Sequence, residues 1–165
     1  MKRKILLWPD QRLRSKAASV AKITDEILAL WQDMIDTMEA MPGVGLAAPQ
    51  IGEMLRLCVV DASTERGQAI RMANPEFIQA EGSEVRVHDE ASPCLPGVSA
   101  KISRPSQVTV TYVNETGTRV RKTFDGLWAT SVQHQLDHLN GRMYFDNLSK
   151  MRRDMVLRRA KKAVS

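Results

Sequence analysis

The chain has 165 residues, 43% hydrophobic and 26% charged, with 24 Lys and Arg against 19 Asp and Glu for a net charge of +5. That length and balance suit one globular domain spanning 1–165 with a core of its own, and no stretch approaches the roughly 18 uninterrupted apolar residues of a membrane span. The apolar run after the basic start is too short for a signal peptide, and two cysteines without CxxC spacing speak against a disulfide framework, so a soluble cytoplasmic protein is expected.

Beyond Pro9, Thr24 reads as a helix cap with Asp25 and Glu26 in the first turn. Ile27, Trp31, Met34, Ile35 and Met38 recur at helical spacing as a core stripe, and Pro42-Gly43 ends the helix. "GVGLAAPQ" at 43–50 reads as a loop, and "RLCVVDA" at 56–62 as a short buried strand. "EVRVH" at 84–88 alternates, and "QVTVTYV" at 107–113 places Val108, Val110 and Tyr112 on one face. The turn "NETG" at 114–117 and the returning Val120, Lys122 and Phe124 predict a hairpin over 107–124. From Gly126 to about Leu139 the pattern is helical, closing at Asn140-Gly141. Strands that cluster instead of alternating with helices give an α+β class. The stretch "KMRRDMVLRRAKKAVS" at 150–165 holds seven basic residues and one acid, so the rest of the chain is near −1. A basic terminal helix aimed at an anionic partner is expected there, with a solvated surface helix as the alternative.

Three stretches carry residues suited to chemistry. In "QHQLDH" at 133–138, His134 and His138 stand four apart, which puts both imidazoles on one helix face, ready to grip a metal. In a His-Glu-x-x-His hydrolase the residue after the first histidine is a glutamate that takes a proton from metal-bound water; here it is Gln135, and an amide cannot do so. In 43–50 the glycines let backbone approach a ligand and Gln50 can donate to an oxyanion, although a tight turn after a helix needs the same residues. "DEASPCLPG" at 89–97 offers Glu90, Ser92 and Cys94 between restrictive prolines; Cys94 is open to reading as a ligand, a nucleophile or a small buried residue. His88 reads as a pocket or surface residue.

Taken in chain order, these stretches resemble the peptide deformylase family, which carries the motifs G-φ-G-φ-A-A-x-Q, E-G-C-L-S and H-E-x-D-H. The first stands intact as Gly43-Val44-Gly45-Leu46-Ala47-Ala48-Pro49-Gln50, and "NPEF" at 74–77 and "DGLWATSVQHQLDHLNGRMYFDNLS" at 125–149 are also similar to family segments. The resemblance covers essentially the whole chain. It implies the deformylase fold, with mostly antiparallel strands clustered around a central helix bearing the histidine pair. It also implies a hydrolase of protein biosynthesis that removes the formyl group from N-terminal formyl-methionine, using a divalent metal (iron, nickel or zinc) held by one cysteine and two histidines. By that resemblance His134 and His138 are the metal histidines, Gln50 and Gly45 form the oxyanion side, and Asp137 is a supporting partner. Val44, His88, Glu90, Leu127, Thr130 and Ser131 surround the pocket, which His88, Thr130 and Ser131 make more polar than a methionine site.

Two positions depart from the family pattern. Gln135 stands at the general base, whose usual contribution is about 10²–10⁴ in rate, and Ser92 stands at the metal cysteine, where a hydroxyl is a weak ligand. The expectation is therefore a deformylase-like pseudoenzyme with a degraded metal site, weak or absent metal and little or no deformylase activity. Two alternatives stay open. One is an active hydrolase of another N-acyl or amide substrate with Cys94 as substitute ligand, since in an extended segment Ser92 and Cys94 would face the same way. The other is a non-catalytic ribosome- or peptide-binding module that uses the basic tail; neither DNA nor a membrane is expected as a partner.

Overall fold

The computed structural model describes residues 1–164; Ser165, the last residue of the expected basic tail, lies outside them. Thr24 caps α1 (Asp25–Ala40), its side chain accepting from the Ile27 N–H. Then come β1 (Gly45–Ala47), β2 (Leu57–Val60), β3 (Ile70–Ala80), β4 (Val85–Ser92), β5 (Leu95–Pro105), β6 (Gln107–Val113), β7 (Arg119–Asp125), α2 (Gly126–Leu139) and α3 (Lys150–Ala163). Five strands form one antiparallel sheet in the order β1-β2-β3-β6-β7, and β4 with β5 forms a separate hairpin. No helix among the described residues is long and apolar enough to cross a membrane.

Strand β2 is apolar throughout because both of its faces are covered. Leu57 and Val59 meet the α1 residues Trp31, Met34 and Met38, while Cys58 and Val60 meet the α2 residues Ala129, Val132 and Leu136. A strand buried on both sides reads as a continuous apolar run and not as an alternating one. Val108, Val110, Tyr112 and Phe124 from the predicted hairpin complete the α2 side. Within the α1 stripe, Ile35 is only partly buried.

The structure corrects several sequence expectations. The stretch 43–50 is not a simple loop: it contains β1, followed by a single 3-10 turn at Ala48–Ile51 that ends on Gly52 with φ of +83°. The alternating 84–88 segment continues as strand to Ser92, and β5 and most of β3 carry no alternation that marks them as strands. The basic helix is not wholly solvated, because Val156 and Ala160 pack with Leu95, Ile102 and Phe145.

Candidate functional site

A cleft of about 430 Å³ opens between β1, β4 and α2. Val44 and Gly45 form one wall, His88, Glu90 and Ser92 the opposite one, and Leu127, Thr130, Ser131, His134 and Gln135 the floor, with Gln50 at one end. Helical spacing on α2 accounts for the floor, since residues three and four apart share a face. Gly45 is required by packing: a Cβ there would fall on the Gln135 amide and lie 2.5 Å from Ser131 Oγ.

The two histidines meet on the inner face of α2 with ring centroids 5.0 Å apart. Glu90 Oε1 lies 2.8 Å from His134 Nδ1, so the carboxylate accepts from the Nδ1–H and orients the ring with Nε2 on its far side. Tyr144 stacks nearly parallel to that ring at 6.0 Å between centroids. Both ring nitrogens of His138 are buried without a hydrogen-bond partner. Burial first, then the neighbouring His134 and Arg104, hold the His138 imidazole well below its ordinary value of 6.5 and therefore neutral.

Behind the histidines Arg104, unmarked by any motif or periodicity, grips Glu90 through two hydrogen bonds of 2.7 and 3.0 Å and reaches Asp137 at 3.1 Å. Burial opposes charge on Glu90, but the hydrogen bonds from His134 and Arg104 and the Arg104 charge outweigh it and hold the carboxyl below its ordinary value. Glu90 is thus an anion whose charge is already matched.

At the third corner, Gln50 is oriented by the Ala47 N–H, which donates to its Oε1 at 2.9 Å. Its Nε2 therefore points at Ser92 Oγ (3.5 Å) and Cys94 Sγ (3.6 Å). Ser92 Oγ also accepts from the Cys94 N–H at 3.2 Å. The chain reverses through Pro93 and Cys94, with Ser92 opposite Leu95 across the hairpin, and the Ser92 and Cys94 side chains both meet the Gln50 amide. Cys94 packs with Leu13, Leu95 and Phe145, and burial pushes its thiol up, so it is not a ready thiolate. Among the described residues no three His, Cys, Asp or Glu side chains converge as metal ligands, so Cys94 is not brought together with His134 and His138. The donor set is two imidazoles plus a hydroxyl already engaged as a hydrogen-bond acceptor. The unpartnered nitrogens of His138 suit a cation, but the set as a whole does not fit a tightly held transition metal, which needs a third strong ligand.

Gln135 is buried beside His134, and its Oε1 has no hydrogen-bond partner, while its Nε2 makes one long contact of 3.5 Å to Ser131 Oγ. Ser131 donates to the Val44 carbonyl at 2.9 Å, and Thr130 accepts from Arg86 Nη1 at 3.1 Å. The polar floor is therefore tied into the fold. Arg104, Tyr144 and Arg86 escaped the sequence reading. Only Arg86 carried a usable signal, its alternation with His88 and Glu90.

A family model described as "Polypeptide deformylase" matches residues 2–154. A curated peptide deformylase from Rhodopseudomonas palustris (strain TIE-1) is 39% identical, over 98% of this chain and 94% of that protein. One from Agrobacterium fabrum is 35% identical, over 96% of this chain and 94% of that one. The crystal structure of a peptide deformylase from Legionella pneumophila superposes with a TM-score of 0.91 at 38% identity, covering 98% of this chain and 95% of that one. That of peptide deformylase from Ehrlichia chaffeensis gives 0.90 at 30% identity, covering 98% and 96%.

Proposed function

The chain belongs to the polypeptide deformylase family, and from that premise we propose that it is a member with little or no deformylase activity whose cleft holds the N-terminal end of a peptide without cleaving it. The observation that carries this reading is Gln135. It is buried in the cleft beside His134, where a base would act, and its carboxamide can hold an amide group but cannot take a proton from water. Ser92 supports it independently, because its oxygen accepts from the Cys94 N–H and the Gln50 amide and offers no thiolate. With the donor set unsuited to a tightly held metal, no hydrolytic step is assigned. What the residues can do is bind: the Gln50 Nε2 donates, the unpartnered Gln135 Oε1 accepts, and the open edge of β1 at Gly45 presents backbone groups.

Formate release from formyl-Met-Ala-Ser by the unaltered chain, assayed anaerobically with added iron or nickel, tests the reading. Release at the buffer rate is expected, and sustained turnover contradicts it. The alternative of an active hydrolase using Cys94 is supported less well: the thiol is buried against the Gln50 amide and does not converge with His134 and His138 as a ligand group among the described residues.

The basic tail supports a second reading, that of an RNA-facing surface such as a ribosome offers. Arg152 and Arg159 of α3 and Lys101 of β5 line a groove of about 380 Å³ together with Val156, which with Ala160 fixes the helix against the core. A rigid cationic face of this kind suits phosphates.

A further inference from the structure

Strand alternation places Arg86, His88 and Glu90 on the face of β4 that looks towards α2, whereas Val85 and Val87 point outward, 65% and 58% exposed. Glu90 contributes no free negative charge to the cleft, since Arg104 holds both its oxygens. Asp89, the other acid at the cleft, is exposed and stands opposite Lys101 in the hairpin register. Across from this strand Thr130 is nearly buried on the cleft floor, and its Oγ1 accepts from Arg86 at 3.1 Å. With that lone pair taken by a cation, the hydroxyl proton is left to donate, and His88 carries a ring N–H in either tautomer. This end of the cleft is therefore rich in donors and backed by a positive charge.

An apolar side chain entering here would strip water from those donors and return nothing. A buried donor without a partner costs about 1–3 kcal/mol. A side chain with an oxygen acceptor would satisfy both. A site built to hydrogen-bond a group discriminates strongly against an isostere that lacks it.

We propose that the cleft selects a peptide whose first side chain carries a carboxylate or carboxamide, with Arg86, His88 and Thr130 as the specificity-determining residues. This rests on the reading that the cleft binds a peptide N-terminus, and it names the class of peptide.

Calorimetric titration of the full chain with formyl-Glu-Ala-Ser, formyl-Gln-Ala-Ser and formyl-Met-Ala-Ser at about 50 mM salt tests it. The Glu and Gln peptides should bind at least about tenfold tighter than the Met peptide, a difference of about 1.4 kcal/mol. Arg86→Met should bring the Glu peptide down to the level of the Gln peptide. His88→Ile combined with Thr130→Ile should reverse the order in favour of Met. Equal or tighter binding of the Met peptide by the unaltered chain overturns the proposal, as does failure of all three peptides to bind. If the double variant does not fold by circular dichroism, the ranking by the unaltered chain decides alone. Formate release followed in the same samples keeps the two readings apart. Turnover contradicts the inactive site without touching the affinity order, and a Met preference without turnover does the reverse.

Discussion

Replacing Arg104 with methionine keeps most of the side-chain volume and removes the guanidinium. Arg104 and Glu90 are 6% and 4% exposed, and the two hydrogen bonds between them are 2.7 and 3.0 Å long. In the variant the Glu90 carboxylate would stay buried with His134 as its remaining partner, and Asp137 would lose its 3.1 Å contact. Removing one member of a buried ion pair typically destabilises by about 3–5 kcal/mol, because the survivor remains desolvated and unmatched. Against a total stability of about 5–15 kcal/mol for a domain, that loss is large. Urea unfolding followed by Trp fluorescence should show it as a lower midpoint with an unchanged slope. Adding Glu90→Gln to Arg104→Met should recover part of the loss, since the stranded charge is gone, and the resulting cycle should give a coupling of at least about 1 kcal/mol. A single-variant loss under about 1 kcal/mol, or strictly additive effects, would refute the view that this pair holds the site from behind.

Further expectations concern acid stability, metal and the tail. Asp61 is buried and accepts from Ser63 N, Ser63 Oγ and Gln68 N; burial opposes its charge, yet these bonds and Arg66 outweigh it and hold the carboxyl below its ordinary value of 3.8. A depressed carboxyl stabilises the fold above its unfolded value and loses that contribution as the pH falls through the folded one. Asp61→Asn should therefore cost about 1–3 kcal/mol at neutral pH and make unfolding less pH-dependent below about 4. Metal content of the purified chain should lie well below one per molecule and rise in Ser92→Cys; near-stoichiometric metal without the substitution contradicts the site as described. Deleting residues 150–165 would strip Val156 and Ala160 from the core, so the tail is better tested with Arg152→Gln and Arg159→Gln, both exposed and both lining the groove. The pair should weaken any ribosome co-sedimentation and flatten its logarithmic salt dependence by roughly 1.5, and an unchanged slope assigns these charges to solvent.

What the sequence revealed depended on whether the signal was local. The α1 cap and stripe, the 107–124 hairpin and the α2 histidine pair follow from spacing alone, because each is fixed by residues within a few positions of one another. Strand β5 was not legible: its face is set by α3 and the β4 partner, not by an alternation of its own. Arg104 was invisible for a similar reason, since it meets Glu90 only across the hairpin, fourteen residues away in sequence. The reversal of the chain at Pro93 and Cys94 depends on the hairpin register, which a stretch containing two prolines does not announce. The positions of Ser92 and Gln135 at the cleft were readable from the motifs, whereas the hydrogen bonds that occupy Ser92 needed the fold.

The claim that two separate lesions silence this site is tested most directly by restoring both. Formate release from formyl-Met-Ala-Ser and formyl-Glu-Ala-Ser should be measured anaerobically with iron or nickel for the unaltered chain, Gln135→Glu, Ser92→Cys and the double variant. A base without a well-held metal water has little to deprotonate, and a held water without a base turns over slowly, so each single change should gain little. The double variant should exceed the product of the single gains by about tenfold or more, because residues that act as a unit are not additive. Substantial turnover by the unaltered chain, or a metal-loaded double variant that stays at the background rate with both peptides, would contradict the account.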